Sequence, residues 1–188
     1  MPAMEVPIGT SRLAIVRGDI TRVEAHAIVN AANESLAGGG GVDGAIHRAG
    51  GPAIMADLER RYGAIGVRRC PTGRAVLTDS GELPARWVIH AVGPRWRGGG
   101  DDEPELLAGA YRMSMELARE VGARTVTFPA ISCGIYGYPL DQGARVALRT
   151  IAGTLREQSG EIERVTFVLF SADTYDAFGD ELGRLPPA

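Results

Sequence analysis

The stretch IVNAANESLAGGGGVDGAIHRAGG, residues 28–51, gathers two asparagines, four consecutive glycines, an aspartate and a histidine. Ile28 and Val29 read as a strand, and Asn30 and Asn33 stand where that strand should end. Gly38, Gly39, Gly40 and Gly41 follow, and then a helix-like run carries Asp43 and His47. Backbone amides in a Gly-rich turn that leads into a helix can hold an anion. The i, i+4 spacing puts Asp43 and His47 on one helical face, beside that turn. A phosphate cradle, amides and a carboxylate together describe a nucleotide site with chemistry attached. Each residue also has a plainer role. The glycines would make a flexible loop, Asp43 a first-turn acid favoured by the helix dipole, His47 a packed histidine, and the asparagines turn-backbone partners. Their crowding into one strand–loop–helix unit favours the site.

A second segment of the same kind, PAISCGIYGYPL, spans residues 129–140 between an expected strand and an expected helix. Gly134 and Gly137 free its backbone. Ligands in open α/β sheets bind outside the carboxyl ends of strands, so two such loops would close on a diphosphate from opposite sides. Taken alone, the segment reads as a tight turn with Tyr136 and Tyr138 packing locally. A literal GxGxxG at Gly39, Gly41 and Gly44 does not fit the dinucleotide fingerprint. Eight residues, Ala31 to Gly38, separate it from its strand, and no acid about 20 residues later ends a second strand.

The elements that must position these loops follow from the apolar runs and their breakers. Strands are expected at 13–16, 27–30, 75–78, 87–91, 125–128 and 164–170, and helices at 42–61, 104–121, 140–158 and 174–182. Short β-rich runs alternating with amphipathic segments predict an α/β fold with helices on both faces of a largely parallel sheet. The adjacent strands at 75–78 and 87–91, joined without a helix, make the sheet mixed. Residues 95–102, RWRGGGDD, form a polar Gly-rich loop and the one most expected to move. A single domain over residues 12–183 is expected, with an N-terminal extension at 1–11 and a tail at 184–188.

Composition narrows the function. The chain has 188 residues, 45% hydrophobic and 23% charged, a size and balance that suit one well-packed domain. A net charge of −3 gives no footprint for a nucleic-acid backbone. No apolar run approaches the roughly 20 residues that span a bilayer. The opening MPAMEVPIGTSRL lacks a basic and an apolar leader region, so a cytoplasmic location is the expectation. All 20 basic residues are arginine, which excludes a Walker-type lysine, a Schiff-base lysine and a lysine general base. Cys70 and Cys133 lie far apart, and the only histidines are His26, His47 and His90. Neither a disulfide framework nor a metal centre is indicated, and no cofactor is called for.

The chain resembles macrodomains of the MacroD type. The matching segments are GDIT (18–21), IVNAAN (28–33), GGGGVDGAIHRAGG (38–51), CPTG (70–73), VGPRW (92–96) and PAISCGIYGYP (129–139), in family order. The resemblance implies a three-layer α/β/α sandwich around a mixed sheet, with ADP-ribose in a surface cleft. Asp19 would accept from the adenine amine, the Ile20 amide would serve the ring, and Phe170 would stack on it. By spacing alone, Asp19 is equally an N-cap, and a strand aromatic such as Phe170 is more often core. Amides of Ser132, Cys133, Gly134, Ile135 and Tyr136 would hold the diphosphate, with the backbone of Gly40, Gly41 and Val42 opposite. Asn33 would hydrogen-bond the distal ribose. Two departures stand out: Gly50 replaces the usual alanine, and Cys133 the common threonine.

The expected chemistry is removal of mono-ADP-ribose from acidic side chains of proteins and deacetylation of O-acetyl-ADP-ribose. Asp43 would orient and partly deprotonate a water and stabilise oxocarbenium character at the ribose carbon. His47 would set its geometry. Activation of the water by the substrate's own diphosphate is a competing mechanism. The alternative function is a binding-only module that reads ADP-ribose. Expected partners are ADP-ribose, O-acetyl-ADP-ribose and mono-ADP-ribosylated proteins, with no membrane partner, nucleic acid disfavoured unless it is itself ADP-ribosylated, and a monomeric state.

Overall fold

In the computed structural model the residues described are 3–63 and 69–186. The outermost residues of the expected N-terminal extension and C-terminal tail therefore lie outside them. Seven strands are present among the described residues: β1 (Met4–Ile8), β2 (Ser11–Arg17), β3 (Ala27–Ala31), β4 (Ala75–Asp79), β5 (Trp87–Ala91), β6 (Thr125–Phe128) and β7 (Arg164–Leu169). They form one sheet in the order β1-β2-β7-β6-β3-β5-β4. The five inner strands are parallel, and the edge strands β1 and β4 pair antiparallel. The inner strands therefore all end at one edge of the sheet.

Strand alternation sorts the side chains into two layers. Val29 and Ala31 of β3 face a core shared with Val126 and Phe128 of β6 and Val165 and Phe167 of β7. Three helices cover that face: α3 (Glu103–Glu120), α4 (Leu140–Gln158) and α5 (Ala172–Leu182). Ile28, Val88 and Val168 point the other way, onto Ile46, Ile54 and Leu58. Those three come from α1 (Gly41–Gly50) and α2 (Pro52–Tyr62). The architecture is the three-layer α/β/α sandwich with a mixed sheet.

Two elements differ from the sequence expectation. The strand β1 was not foreseen, because Pro7 interrupts its apolar run and only Ile8 of its five residues is buried. The helix expected over 42–61 is two. Gly51 takes φ 73°, in the left-handed region, and Pro52 then opens α2, so the break follows from a residue without a Cβ and one without an N–H. At this break the Gly50 carbonyl accepts the Glu82 N–H at 3.0 Å. A Cβ on Gly81 would overlap that carbonyl, and one on Gly50 would collide with Ile54. The glycine at position 50 is thus a close-packing requirement of α1 against the β4–β5 turn.

Candidate functional site

The strand order lays the candidate residues along one sheet edge. Gly18 follows β2, and its N–H bonds Leu169 O at 2.9 Å, so Asp19 and Phe170 emerge side by side. Phe170 is 83% exposed, a large ring left open to solvent at a strand end. Asp19 caps a short 3₁₀ turn, Ile20–Arg22. Its Oδ1 accepts the Thr21 N–H at 3.0 Å and hydroxyl at 2.7 Å. The Thr21 hydroxyl hydrogen bond is the main reason its carboxyl lies below the usual range. The Ile20 side chain is buried beneath the turn.

Two glycine loops stand in the middle of the edge. Gly38 and Gly41 take positive φ, and Gly40 caps α1 without a side-chain hydrogen bond. The first amides of α1, from Gly41, Val42 and Asp43, have no partner within the helix and carry its positive dipole end. Opposite lies the loop after β6. Ser132 is held at φ 65°, and Tyr138 N–H closes onto Ser132 O at 3.0 Å. Among the described residues, the N–H groups of Ser132, Gly134, Ile135 and Tyr136 have no acceptor. The Cys133 N–H is taken by Ala130 O at 3.2 Å, so it is not free for a ligand here. The thiol lies against Gly143, and burial pushes it up to about 12, so the thiol form is favoured over the nucleophilic thiolate near neutral pH. Ile135, 73% exposed, reaches over Gly40, where a Cβ would lie 3.3 Å from Cδ1. The loops thus face each other with free amides.

Asp43 is 5% exposed. Its Oδ1 accepts from Asn30 Nδ2 at 2.7 Å, and His47 Nε2 lies 3.4 Å from the same oxygen. Its Oδ2 has no hydrogen bond among the described residues and faces Gly39, where a Cβ would be 3.2 Å from it and 3.8 Å from Asn33 Nδ2. Asn33 braces its own loop: Nδ2 donates to Gly38 O at 3.0 Å, and Oδ1 accepts from Ser35 Oγ at 2.7 Å. One Nδ2 hydrogen remains for a ligand. Asp43 and Asn33 therefore meet at Gly39 and His47 lies beside Gly38, with one carboxylate oxygen of Asp43 anchored and the other open.

Behind Asp43 runs a buried chain that sequence reasoning missed. Asn30 Nδ2 also meets His90 Nδ1 at 3.2 Å, and His90 Nε2 meets Thr78 Oγ1 at 2.8 Å. The amide nitrogen only donates, so Nδ1 must accept and the ring hydrogen sits on Nε2. Thr78 Oγ1 accepts it and donates to Asp79 O at 3.0 Å. Burial, with His47 adding to it and Asp43 opposing, pushes His90 down to about 3, so the ring is neutral and the chain keeps one polarity. A histidine and an asparagine inside apolar strand runs were the available signal, since buried polar groups need partners.

At the far end a cleft of about 580 Å³ opens beside Asn33 and Tyr136, walled also by Glu34, Thr72, Arg95, Arg97 and Glu103. Asp43 is not on its wall, so the cleft meets the site at Asn33. The loop at 95–102, expected to be mobile, is tied down. Glu103 is buried and accepts the N–H groups of Arg97 (2.9 Å), Gly99 (3.0 Å) and Asp101 (2.6 Å). Burial works to raise its carboxyl, but these donors outweigh it and hold it at about 2, against an ordinary 4.5. A depressed carboxyl stabilises the fold above its unfolded value and loses that contribution as pH falls toward its folded value. The stability gap between wild type and Glu103→Gln should therefore be full above about pH 5 and close between 4.5 and 2. Urea unfolding across that range checks it, and a gap independent of pH would remove the carboxylate's charge from the explanation.

No helix among the described residues is long and apolar enough to cross a membrane. The Macro domain family model matches residues 29–147. The macro domain-containing protein SCO6450 of Streptomyces coelicolor is 55% identical over 172 residues, 91% of this chain and 98% of that one. A protein of Cronobacter turicensis named O-acetyl-ADP-ribose deacetylase is 47% identical over 175 residues, 93% of this chain and 98% of that one. Among solved structures, the Oceanobacillus iheyensis macrodomain with ADP superposes with a TM-score of 0.90 at 40% identity, covering 97% of this chain and 96% of that one. The Trypanosoma brucei macrodomain in complex with ADP-ribose does so with a TM-score of 0.80 at 40% identity, covering 91% and 69%. With its fold, its paired glycine loops and these likenesses in agreement, the chain belongs to the macrodomain family.

Proposed function

We propose that this protein binds ADP-ribose and hydrolyses its esters, both O-acetyl-ADP-ribose and mono-ADP-ribose carried on glutamate or aspartate side chains of proteins. The observation that carries this reading is the asymmetry of Asp43. Oδ1 is fixed by Asn30 while Oδ2 is open toward Gly39, which suits a carboxylate that must hold a water in one direction. Adenine would lie between Asp19 and the exposed Phe170, the diphosphate between the α1 amides and those of Ser132, Gly134, Ile135 and Tyr136, and the distal ribose at Asn33. That order matches the order of the strand ends. The likeness to proteins named O-acetyl-ADP-ribose deacetylase and to macrodomains solved with ADP and ADP-ribose supports it.

In this reading, water held by Asp43 Oδ2 attacks the ester, and the carboxylate faces any positive charge that builds on the ribose carbon. His47 keeps the Asp43 carboxylate in register from one turn further along α1. The protein acts in the cytoplasm as a monomer. The test is incubation of the purified protein with a target ADP-ribosylated on glutamate and, separately, with O-acetyl-ADP-ribose. Release of ADP-ribose from both is expected. Tight ADP-ribose binding by calorimetry without release from either substrate would make the protein a reader and end the hydrolase reading.

A further inference from the structure

We propose that Arg95 completes an acyl subsite: its guanidinium receives the ester carbonyl of the modified glutamate or aspartate and the carboxylate that hydrolysis releases from it, and the peptide occupies the cleft shared with Asn33 and Tyr136. This rests on the hydrolase reading above and adds the half of the substrate that ADP-ribose itself does not supply.

Three observations converge on it. The guanidinium carbon lies 4.4 Å from the centre of the Tyr136 ring, and among the described residues Arg95 has no carboxylate partner. It is a planar fork lying over the ring with no hydrogen bond of its own among the described residues, an arrangement that suits bidentate recognition of acyl oxygens. Second, its backbone is fixed from both sides. Gly93 and Pro94 are buried before it. Trp96 N–H donates to Tyr136 O at 2.9 Å, and Glu103 holds the loop beyond. Third, the two glutamates of the cleft are engaged, and of its two arginines, Arg95 and Arg97, only Arg95 has an aromatic ring beneath it among the described residues. Glu103 is saturated by backbone N–H groups, and Glu34 Oε1 accepts both the N–H and the hydroxyl of Thr72, at 2.9 and 2.7 Å. A volume of about 580 Å³ falls in the range that takes a whole small ligand, about 300–1,000 Å³. An acetyl group leaves most of it empty, whereas a side chain with its flanking peptide fills it.

The chemistry calls for a cation there. Hydrolysis adds the hydroxyl of water to one carbon of the ester linkage and breaks a C–O bond. Whether the bond to the ribose carbon or to the acyl carbon is cut, the products are a ribose hydroxyl, a carboxylate and a proton. If the ribose bond breaks, the electron pair leaves on the acyl oxygens, and a guanidinium beside them lowers the barrier.

The test compares wild type, Arg95→Lys and Arg95→Ala on a glutamate-linked ADP-ribosyl peptide and on O-acetyl-ADP-ribose, with ADP-ribose affinity measured by calorimetry. Arg95 is exposed, so the variants should fold. Arg95→Ala is expected to lower kcat/KM on the peptide by about ten- to a hundredfold, and on O-acetyl-ADP-ribose by less. Its ADP-ribose Kd should stay within about twofold of wild type. Arg95→Lys should fall between, as a point charge without the fork. Peptide turnover within about threefold of wild type in Arg95→Ala would overturn the subsite. So would a loss matched by an equal loss of ADP-ribose affinity, which would reduce Arg95 to packing on Tyr136. A wild type inert on both substrates is a different failure, independent of Arg95; it defeats the hydrolase reading and the subsite with it.

Discussion

Asp43→Ala should hydrolyse O-acetyl-ADP-ribose and glutamate-linked ADP-ribose at least about a hundredfold more slowly than wild type, the range for loss of a positioned general base. Its affinity for ADP-ribose should remain within about tenfold, about 1.4 kcal/mol. The two numbers separate because, in the proposed mechanism, the Asp43 side chain serves the water, while the proposed cradle is made of backbone amides that the substitution leaves in place. Removal of the carboxylate also leaves Asn30 Nδ2 without its 2.7 Å acceptor, so some stability is lost as well. Asp43→Asn is the companion variant, since it keeps the volume and removes the charge. Single-turnover rates beside calorimetry decide the matter. Unchanged hydrolysis in both variants would return Asp43 to the role of a helix-start residue and favour activation of the water by the diphosphate.

Phe167→Ala should destabilise the protein by about 3–5 kcal/mol, the usual cost of emptying a fully buried phenylalanine site. Phe167 is 0% exposed. Its ring lies 5.5 Å from Phe128, 5.9 Å from Tyr111 and 5.2 Å from Phe178, so residues from one strand and two helices border the space it would vacate. These neighbours are anchored on separate elements and cannot all close in. A drop in melting temperature on the order of 10 °C is expected, with an unchanged denaturant m-value. ADP-ribose binding should persist below the new midpoint, because the loops sit at the strand ends and not in this core. A loss under about 1 kcal/mol would mean that the cluster repacks freely.

Much of the site could be read from the chain because its functional groups are clustered in sequence. Asn33, the four glycines, Asp43 and His47 form one strand–loop–helix unit, and the second glycine loop carries the same strand–turn–helix grammar. What was missed is long-range. Asn30 and His90 are 60 residues apart and meet because β3 and β5 are paired in register. Glu103 stands one residue before the helix expected at 104–121, and nothing in the sequence marks it as the anchor of the loop before it. Only the folded loop shows it gathering three backbone N–H groups. The split of the first long helix was signalled by the sequence Gly50-Gly51-Pro52, yet apolar periodicity carried the expectation through it. The strand β1 gave no such signal, since an edge strand half-exposed to solvent has no continuous apolar run.

The close contact between Gly50 and Gly81 sets an angular tolerance for the chemistry. Asp43 rides on the first turn of α1, and the far end of that helix is seated against the β4–β5 turn with no side chain between them. A side-chain atom about 5 Å from a helix axis travels about 1 Å for a rotation on the order of 10°, and a misplacement of 1 Å can cost about a hundredfold in rate. Added volume at the turn would act as a torque on α1, swinging the Asp43 carboxylate away from the place where the proposed mechanism needs the water, while leaving the core that Ile46 anchors largely intact. The turn at Gly81 therefore works as the stop that fixes the helix's rotational setting, and hence the aim of a side chain two helical turns away from it.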